Sequence, residues 1–133
     1  MKRLKAVLLI DDDETTNIIN EMLITEMDVT EKLFQARNGK EAIDLLQGLL
    51  KQPAHFPELI LLDVNMPVMD GFAFLEAYQE MDFPGKSSLK IVMLTTSLNP
   101  KDIEQAKNAG VTNYLTKPLL EETLYNILEE HIR

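Results

Sequence analysis

The sequence predicts a single α/β domain in which a parallel sheet is covered by helices on both faces. Short apolar runs alternate strictly with longer segments of helical period, as expected of strand-helix-strand units. The runs are continuously apolar, which is typical of strands that are buried on both faces. A length of 133 residues, 45% of them hydrophobic and 26% charged, fits one compact domain over residues 1–133 with no separate output domain.

The predicted strands are five short apolar runs. In chain order they are AVLLI at 6–10, KLFQA at 32–36, LILL at 59–62, KIVML at 90–94 and NYLT at 113–116. Connections between parallel strands are right-handed, which leaves only a few doubly wound arrangements for such a chain.

The segments that follow the strands predict five helices, each with one apolar face. Asn99 followed by Pro100 predicts the start of the fourth helix, because Asn caps helix starts and Pro favours the first helical position. Gly110 predicts its end. Taken helix by helix, the expected apolar positions are Ile19, Met22, Leu23 and Met27; Ala42, Leu45, Leu46, Leu49 and Leu50; Leu75 and Tyr78; Ile103 and Ala106; and Leu124, Ile127 and Leu128.

Charge and composition exclude several classes of function. The net charge of -9 repels phosphate backbones, so nucleic acid is not an expected partner and cations are. The absence of cysteine excludes disulfides, thiolate metal sites and thiol nucleophiles. No apolar stretch approaches the roughly 20 residues of a membrane span, and the run near the start is too short for a signal peptide. We expect a cytoplasmic protein with no membrane contact.

The residues that follow the predicted strands differ in chemistry. In the flavodoxin-like order 2-1-3-4-5, ligands gather at the carboxyl ends of the strands, near the switch point between the first and third strands. The second strand lies at the edge in this order, and it is the one followed only by a turn sequence, RNG. Polar groups follow the other four strands: Asp11, Asp12 and Asp13; Asp63; Thr95 and Thr96; and Lys117.

Carboxylates that meet in one crevice predict a bound cation. Asp11, Asp12 and Asp63 would resist ionising together unless a positive ion joined them. Oxygen ligands without His or Cys suit Mg²⁺, or Mn²⁺. A metal ion, a lysine and a hydroxyl around one further carboxylate form an electrostatic cradle for a phosphoryl group, with that carboxylate as nucleophile. An aspartyl phosphate is the expected product.

Four fragments, in this order and spacing, resemble one known family. They are LLIDDD, LLDVNMPVMDG, MLTTS and YLTKP, and with them the whole chain resembles the receiver domain of two-component response regulators. The resemblance is to single-domain, CheY-like members, whose strand order is the one given above. It implies a signalling phosphoacceptor that promotes its own phosphorylation and dephosphorylation, and not an enzyme in the usual sense.

The resemblance implies an acceptor and its metal ligands. Asp63 would take a phosphoryl group from a phosphohistidine of a sensor histidine kinase or a histidine phosphotransfer protein. Asp12 would bind Mg²⁺ directly and Asp11 through water. Asp63 and the main-chain carbonyl of Asn65 would complete the ligands that the protein supplies.

The resemblance also implies a conformational switch. Thr95 would contact one phosphoryl oxygen through its hydroxyl, and Lys117 would pair with another. Tyr114 matches an aromatic residue that changes rotamer as Thr95 moves inward, which would alter the face of helix 4, strand 5 and helix 5. The bond before Pro118 matches one that is usually cis in the family. A downstream protein target, and a monomer or a phosphorylation-dependent dimer, are expected.

Two alternatives stay open. DDDET at 11–15 also satisfies the D-x-D-x-T pattern of haloacid-dehalogenase-like phosphohydrolases, with Asp11 as nucleophile, but the acidic pair that such enzymes need at a strand end is represented only by Glu121 and Glu122 in a predicted helix. A receiver-like scaffold that binds its partner without phosphorylation is the second alternative. Asp13 and Asp70 are better explained as helix caps than as ligands.

Overall fold

The computed structural model describes residues 3–96, 99–111 and 113–131. Within these residues the chain forms five strands and five α-helices in strict alternation. They are β1 Val7–Ile10, α1 Glu14–Met27, β2 Leu33–Ala36, α2 Gly39–Leu49, β3 Leu59–Leu62, α3 Gly71–Glu80, β4 Lys90–Thr95, α4 Pro100–Asn108, β5 Asn113–Thr116 and α5 Glu121–His131. Short 3-10 turns at Pro53–His55 and Lys86–Ser88 precede β3 and β4.

The strands form one parallel sheet in the order β2-β1-β3-β4-β5, which confirms the predicted flavodoxin-like α/β fold. β1 and β3 are neighbours, with Ile10 opposite Leu62, so both strands end at the same level. β4 and β5 end together in the same way, with Thr95 opposite Thr116. The residues that follow four of the strands therefore meet along one edge of the sheet.

Two apolar layers lie on the two faces of the sheet, because successive residues of a strand point to opposite faces. Leu8, Ile10, Ile60 and Leu62 face a layer that includes residues of α2, α3 and α4. The alternate strand positions face a second layer that includes α1 and α5; its strand members are Val7, Leu9, Leu59, Leu61, Val92 and Leu94. Among the described residues, no helix is both long enough and apolar enough to cross a bilayer.

The predicted apolar face of α1 is right for Leu23 and Met27, which pack partly buried against the second layer, and wrong for Ile19 and Met22. Ile19 and Met22 are 55% and 65% exposed, whereas the helix buries Asn17, Asn20 and Ile24. The phase of the helix is set at its start, where the Asp13 side chain accepts a hydrogen bond from the backbone N–H of Thr15 and caps the helix. From that start, positions 17, 20 and 24 face the sheet, so two asparagines are buried where the hydrophobic pattern predicts no core position.

Candidate functional site

The carboxylates of Asp11 and Asp63 lie side by side because the strands that precede them are hydrogen-bonded neighbours. The Asp63 backbone N–H donates to the Ile10 carbonyl at 2.9 Å, and the Asp11 N–H donates to the Ala36 carbonyl at 3.0 Å. Both aspartates are buried, at 4% and 6% exposure, whereas Asp12 is exposed. Each of the three offers a carboxylate oxygen within 4.8 Å of the other two. The predicted acidic cluster therefore exists.

Lys117 supplies the positive charge at this cluster. Its Nζ lies 2.6 Å from Asp11 Oδ2 and 3.7 Å from Asp63 Oδ1, and its side chain is only 17% exposed. Its backbone N–H donates to the Thr95 carbonyl at 2.7 Å, which ties the chain beyond β5 to the end of β4. The Lys117-Pro118 peptide bond is cis. One ammonium group thus serves two buried carboxylates.

The electrostatics of the cluster show an excess of negative charge. Burial raises the pKa of Asp63 from its ordinary value of 3.8 to about 6, and the neighbouring charge of Asp11 acts in the same direction. Lys117 and a hydrogen bond from the Val64 backbone N–H oppose the rise without cancelling it. Burial opposes the charge of Lys117, but its hydrogen bond to Asp11 and the surrounding carboxylates exceed that effect and raise its pKa.

These carboxylates fit a divalent cation. Oxygen donors from three acidic residues converge, one of them exposed at the rim, and the Lys117 ammonium leaves Asp63 with a raised pKa. Hard cations such as Mg²⁺ prefer this donor set and keep part of their water shell, which an open rim permits. The acidic triad is thus consistent with a site for a divalent metal ion.

The turn after β3 is closed tightly against Asp63. The Gly71 N–H donates to the Val64 carbonyl at 2.8 Å, and a Cβ atom at position 71 would lie 2.6 Å from the Asp63 carbonyl oxygen. Only glycine permits α3 to begin this close to the strand. Asp70 caps α3 by accepting from the Ala73 N–H at 2.9 Å, as predicted. Asn65 is exposed within this turn.

Thr95 and Tyr114 lie on adjacent strands near the cluster. Thr95 ends β4, the neighbour of β3, and is 5% exposed. Thr96 follows it and is exposed, so its side chain points away from the buried part of the edge. Tyr114 is half-buried in β5, packs against the layer under α2 to α4, and donates its hydroxyl hydrogen to the Val111 carbonyl at 2.8 Å. Burial raises the pKa of Tyr114.

Two contacts at the site were not predicted from the sequence. The Asn17 Nδ2 donates to the Asp11 carbonyl at 2.9 Å from within α1. The Asp13 N–H donates to Asp11 Oδ1 at 2.9 Å, while the Asp13 side chain caps α1 and accepts from the Thr16 hydroxyl at 2.7 Å. The hydrogen bond from the Thr16 hydroxyl is the largest of the effects that lower the pKa of Asp13. The hydrophobic pattern of α1 does not mark position 17 as buried, so it gives no signal for the first contact.

The comparisons with known proteins agree with this geometry. The model of a family described as "Response regulator receiver domain" matches residues 7–129. The chain is 28% identical to the chemotaxis protein CheY of Halobacterium salinarum, with 95% of each covered. It is 30% identical to the sensor histidine kinase CheAY of Helicobacter pylori, with 96% of this chain covered but only 15% of that protein. The crystal structure of a two-component response regulator from Cytophaga hutchinsonii superposes with a TM-score of 0.87 at 29% identity, with 98% of both chains covered.

Proposed function

The chain belongs to the response regulator receiver domain family, and from that premise we propose that it accepts a phosphoryl group from a phosphohistidine onto Asp63. The observation that carries the proposal is the position of Asp63, buried between a second carboxylate and the Lys117 ammonium at 3.7 Å. A receiver domain is a signalling phosphoacceptor and not a classical enzyme. A histidine kinase partner follows from the family.

The transfer is a substitution at phosphorus. An oxygen of the Asp63 carboxylate attacks, the new P–O bond forms as the P–N bond breaks, and the bonding electron pair leaves with the imidazole nitrogen, which takes up a proton. The nucleophile is the ionised carboxylate, so a pKa of about 6 for Asp63 keeps most of it reactive at neutral pH. The Lys117 ammonium is placed to pair with a phosphoryl oxygen once Asp63 carries the group.

Asp11, Asp12 and Asp63, with the main-chain carbonyl of Asn65, would hold Mg²⁺, or Mn²⁺ in its place. When bound, the ion supplies positive charge that offsets the negative charge of the phosphoryl oxygens. The protein's own part is to fix the carboxylates: Asp11 accepts hydrogen bonds on one oxygen from the Asp13 N–H and pairs through the other with Lys117. Asp63 accepts one from the Val64 N–H.

The signal would leave the site through Thr95 and Tyr114. We propose that the Thr95 hydroxyl contacts a phosphoryl oxygen and that Tyr114 changes rotamer as Thr95 moves. The hydrogen bond from the Tyr114 hydroxyl to the Val111 carbonyl would then break, and the surface formed by α4, β5 and α5 would change. The phosphoryl group thereby biases a two-state balance that exists before it arrives.

The remaining parts of the proposal concern partners and organisation. The chain acts as a receiver in a two-component or phosphorelay pathway, located in the cytoplasm and directed at a downstream protein. Among its relatives, it covers 95% of the CheY protein but only 15% of the CheAY protein. Nucleic acid and membrane are not partners, and the protein is a monomer or a phosphorylation-dependent dimer.

Intact-mass spectrometry after incubation with acetyl phosphate tests the proposal. We expect one phosphoryl adduct that requires Mg²⁺ or Mn²⁺, that survives Asp13→Asn, and that is lost in Asp63→Asn. Asp13→Asn is a matched control because Asp13 is an acidic neighbour that acts as a helix cap. Failure to form any adduct, or equal labelling of the Asp63→Asn protein, would overturn the proposal.

The same samples separate the two alternatives. A haloacid-dehalogenase-like phosphohydrolase would form its adduct on Asp11 and would turn over phosphomonoesters. The position of Glu121 and Glu122 in the first turn of α5, and the engagement of Asp11 with Lys117, disfavour that reading. A phosphorylation-independent scaffold would bind its partner equally before and after treatment with acetyl phosphate, and Asp63→Asn would bind as the wild type does.

A further inference from the structure

Asn17 is a buried amide that lies behind the acidic cluster. It is the fourth residue of α1 and is 2% exposed. Its Nδ2 donates to the carbonyl oxygen of Asp11 at 2.9 Å, in a buried hydrogen bond between residues six positions apart. Its other polar atom, Oδ1, is buried and has no hydrogen-bond partner among the residues that the structure describes.

This arrangement is costly at a position that an apolar side chain could fill. Burying an acceptor without a donor loses the free energy of its hydration, and the layer between α1 and the sheet is built mainly of apolar side chains, with Asn20 as a second buried asparagine. The buried Oδ1 of Asn17 is therefore unfavourable. The Nδ2, which does have a partner, donates to the backbone at the acidic cluster. The contact of Asn17 with Asp11 is the feature that distinguishes this side chain from a leucine in the same place.

The bond completes the fixation of Asp11. The Asp11 N–H is bonded to β2, one carboxylate oxygen is bonded to the Asp13 N–H, and the other is paired with Lys117. The carbonyl is the remaining polar group, and Asn17 binds it. Since this carbonyl belongs to the peptide plane that leads into Asp12, the bond also holds the Cα atom from which the exposed Asp12 side chain extends.

We propose that Asn17 is a positioning residue that holds the carboxylates of Asp11 and Asp12 in the arrangement that binds a divalent cation. The inference rests on the proposed function, because it concerns the metal affinity of that same site. Partners that orient metal ligands from behind typically change metal affinity by about 10-fold to 100-fold when they are removed. Asn17 itself touches neither the ion nor the phosphoryl group.

The test compares Asn17→Leu with Asn20→Leu in the full chain. Asn20 is a second buried asparagine, 6% exposed, one turn further along the same face of α1. Asn20→Leu is therefore a matched control, because it makes the same substitution at a similarly buried position. Mg²⁺ affinity is measured by calorimetric titration, and the stability of each variant is measured separately by urea unfolding without Mg²⁺. We expect Asn17→Leu to weaken Mg²⁺ binding by about tenfold or more, and Asn20→Leu to change it by less than about twofold.

A merely structural role for Asn17 would give a different result. The Mg²⁺ affinity of folded Asn17→Leu would then remain within about twofold of the wild type, or both variants would lose affinity equally, and either outcome overturns the inference. Asn17→Ala, which cannot overpack the layer, replaces Asn17→Leu if the leucine variant does not fold; failure of both to fold would make the amide a requirement of the fold alone and would also overturn it. A wild-type protein with no Mg²⁺ affinity would refute the proposed function itself, whereas normal wild-type binding with normal Asn17 variants would refute only the positioning role.

Discussion

Replacing Asp63 by asparagine is expected to stabilise the metal-free protein at neutral pH. In the folded chain, burial and the charge of Asp11 raise the pKa of Asp63 from 3.8 to about 6. Each pKa unit between the folded and unfolded chains corresponds to about 1.4 kcal/mol, so an ionised Asp63 costs at most about 3 kcal/mol. Asparagine keeps the shape without the charge. Allowing for screening at the open rim, we expect a gain of about 1 to 3 kcal/mol in the free energy of unfolding.

The pH dependence gives the sign of the effect. The folded chain binds the proton of Asp63 more tightly than the unfolded chain does, so this proton stabilises the wild type fully below about pH 4, and the stabilisation is lost as the pH rises through about 6. The advantage of Asp63→Asn should therefore be near zero at pH 4, grow between pH 4 and pH 6, and level off above. Asp44→Asn, at an exposed carboxylate paired with Lys40, is the matched control and should change stability by less than about 0.5 kcal/mol.

Urea unfolding without divalent ions, repeated across this pH range, measures the effect. Adding Mg²⁺ should stabilise the wild type far more than Asp63→Asn and so narrow the difference, because only the wild type retains every carboxylate of the cluster. If Asp63→Asn were no more stable than the wild type at pH 7.5, or if its advantage did not change with pH, the reasoning about charge excess at this cluster would be refuted.

Three further experiments test Lys117, the turn at Gly71 and the buried face of α1. Lys117→Met should lower stability at neutral pH, because two buried carboxylates lose their ammonium partner, and stability should partly recover at acidic pH or on adding Mg²⁺. Urea unfolding at several pH values measures this, and a loss of stability that is independent of pH would contradict it. Gly71→Ala should lower the free energy of unfolding by about 1 to 3 kcal/mol and slow labelling by acetyl phosphate, because its Cβ would lie 2.6 Å from a backbone oxygen. Gly48→Ala, in open space within a helix, should raise the free energy of unfolding by about 0.5 to 1 kcal/mol. Equal effects of the two substitutions would count against the close approach at position 71. Ile24→Ala should cost about 2 to 5 kcal/mol and Ile19→Ala less than about 0.5 kcal/mol, and the reverse order in thermal or urea unfolding would mean that α1 has the opposite phase.

The strands and their order could be predicted because both depend on local signals. Continuous apolar runs mark strands buried on two faces, and the parallel arrangement follows from their alternation with helices. The predicted and observed strands agree within one residue at each end. The convergence of Asp11, Asp63 and Lys117 could also be predicted, since the carboxyl ends of parallel strands meet at one edge of the sheet.

The orientation of α1 could not be read from its hydrophobic pattern. The pattern assigns Ile19 and Met22 to the core, but burial of Asn17 is decided by a hydrogen bond to the Asp11 carbonyl, a contact between a helix and the loop before it. The hydrophobic pattern reports only the spacing of apolar residues and gives no information about such a hydrogen bond. The sequence likewise predicts only the cap at Asp70 and not the close approach of Gly71 to the Asp63 backbone, because that approach depends on tertiary packing.

The most direct test of the central claim is to locate the phosphoryl group on the chain. The protein is treated with acetyl phosphate and Mg²⁺, the acyl phosphate is reduced with borohydride, and the modified position is identified by peptide mass spectrometry. We expect conversion of residue 63 alone, with none when Mg²⁺ is removed. Modification of residue 11 or residue 12, or of residue 63 to the same extent without any divalent ion, would contradict it.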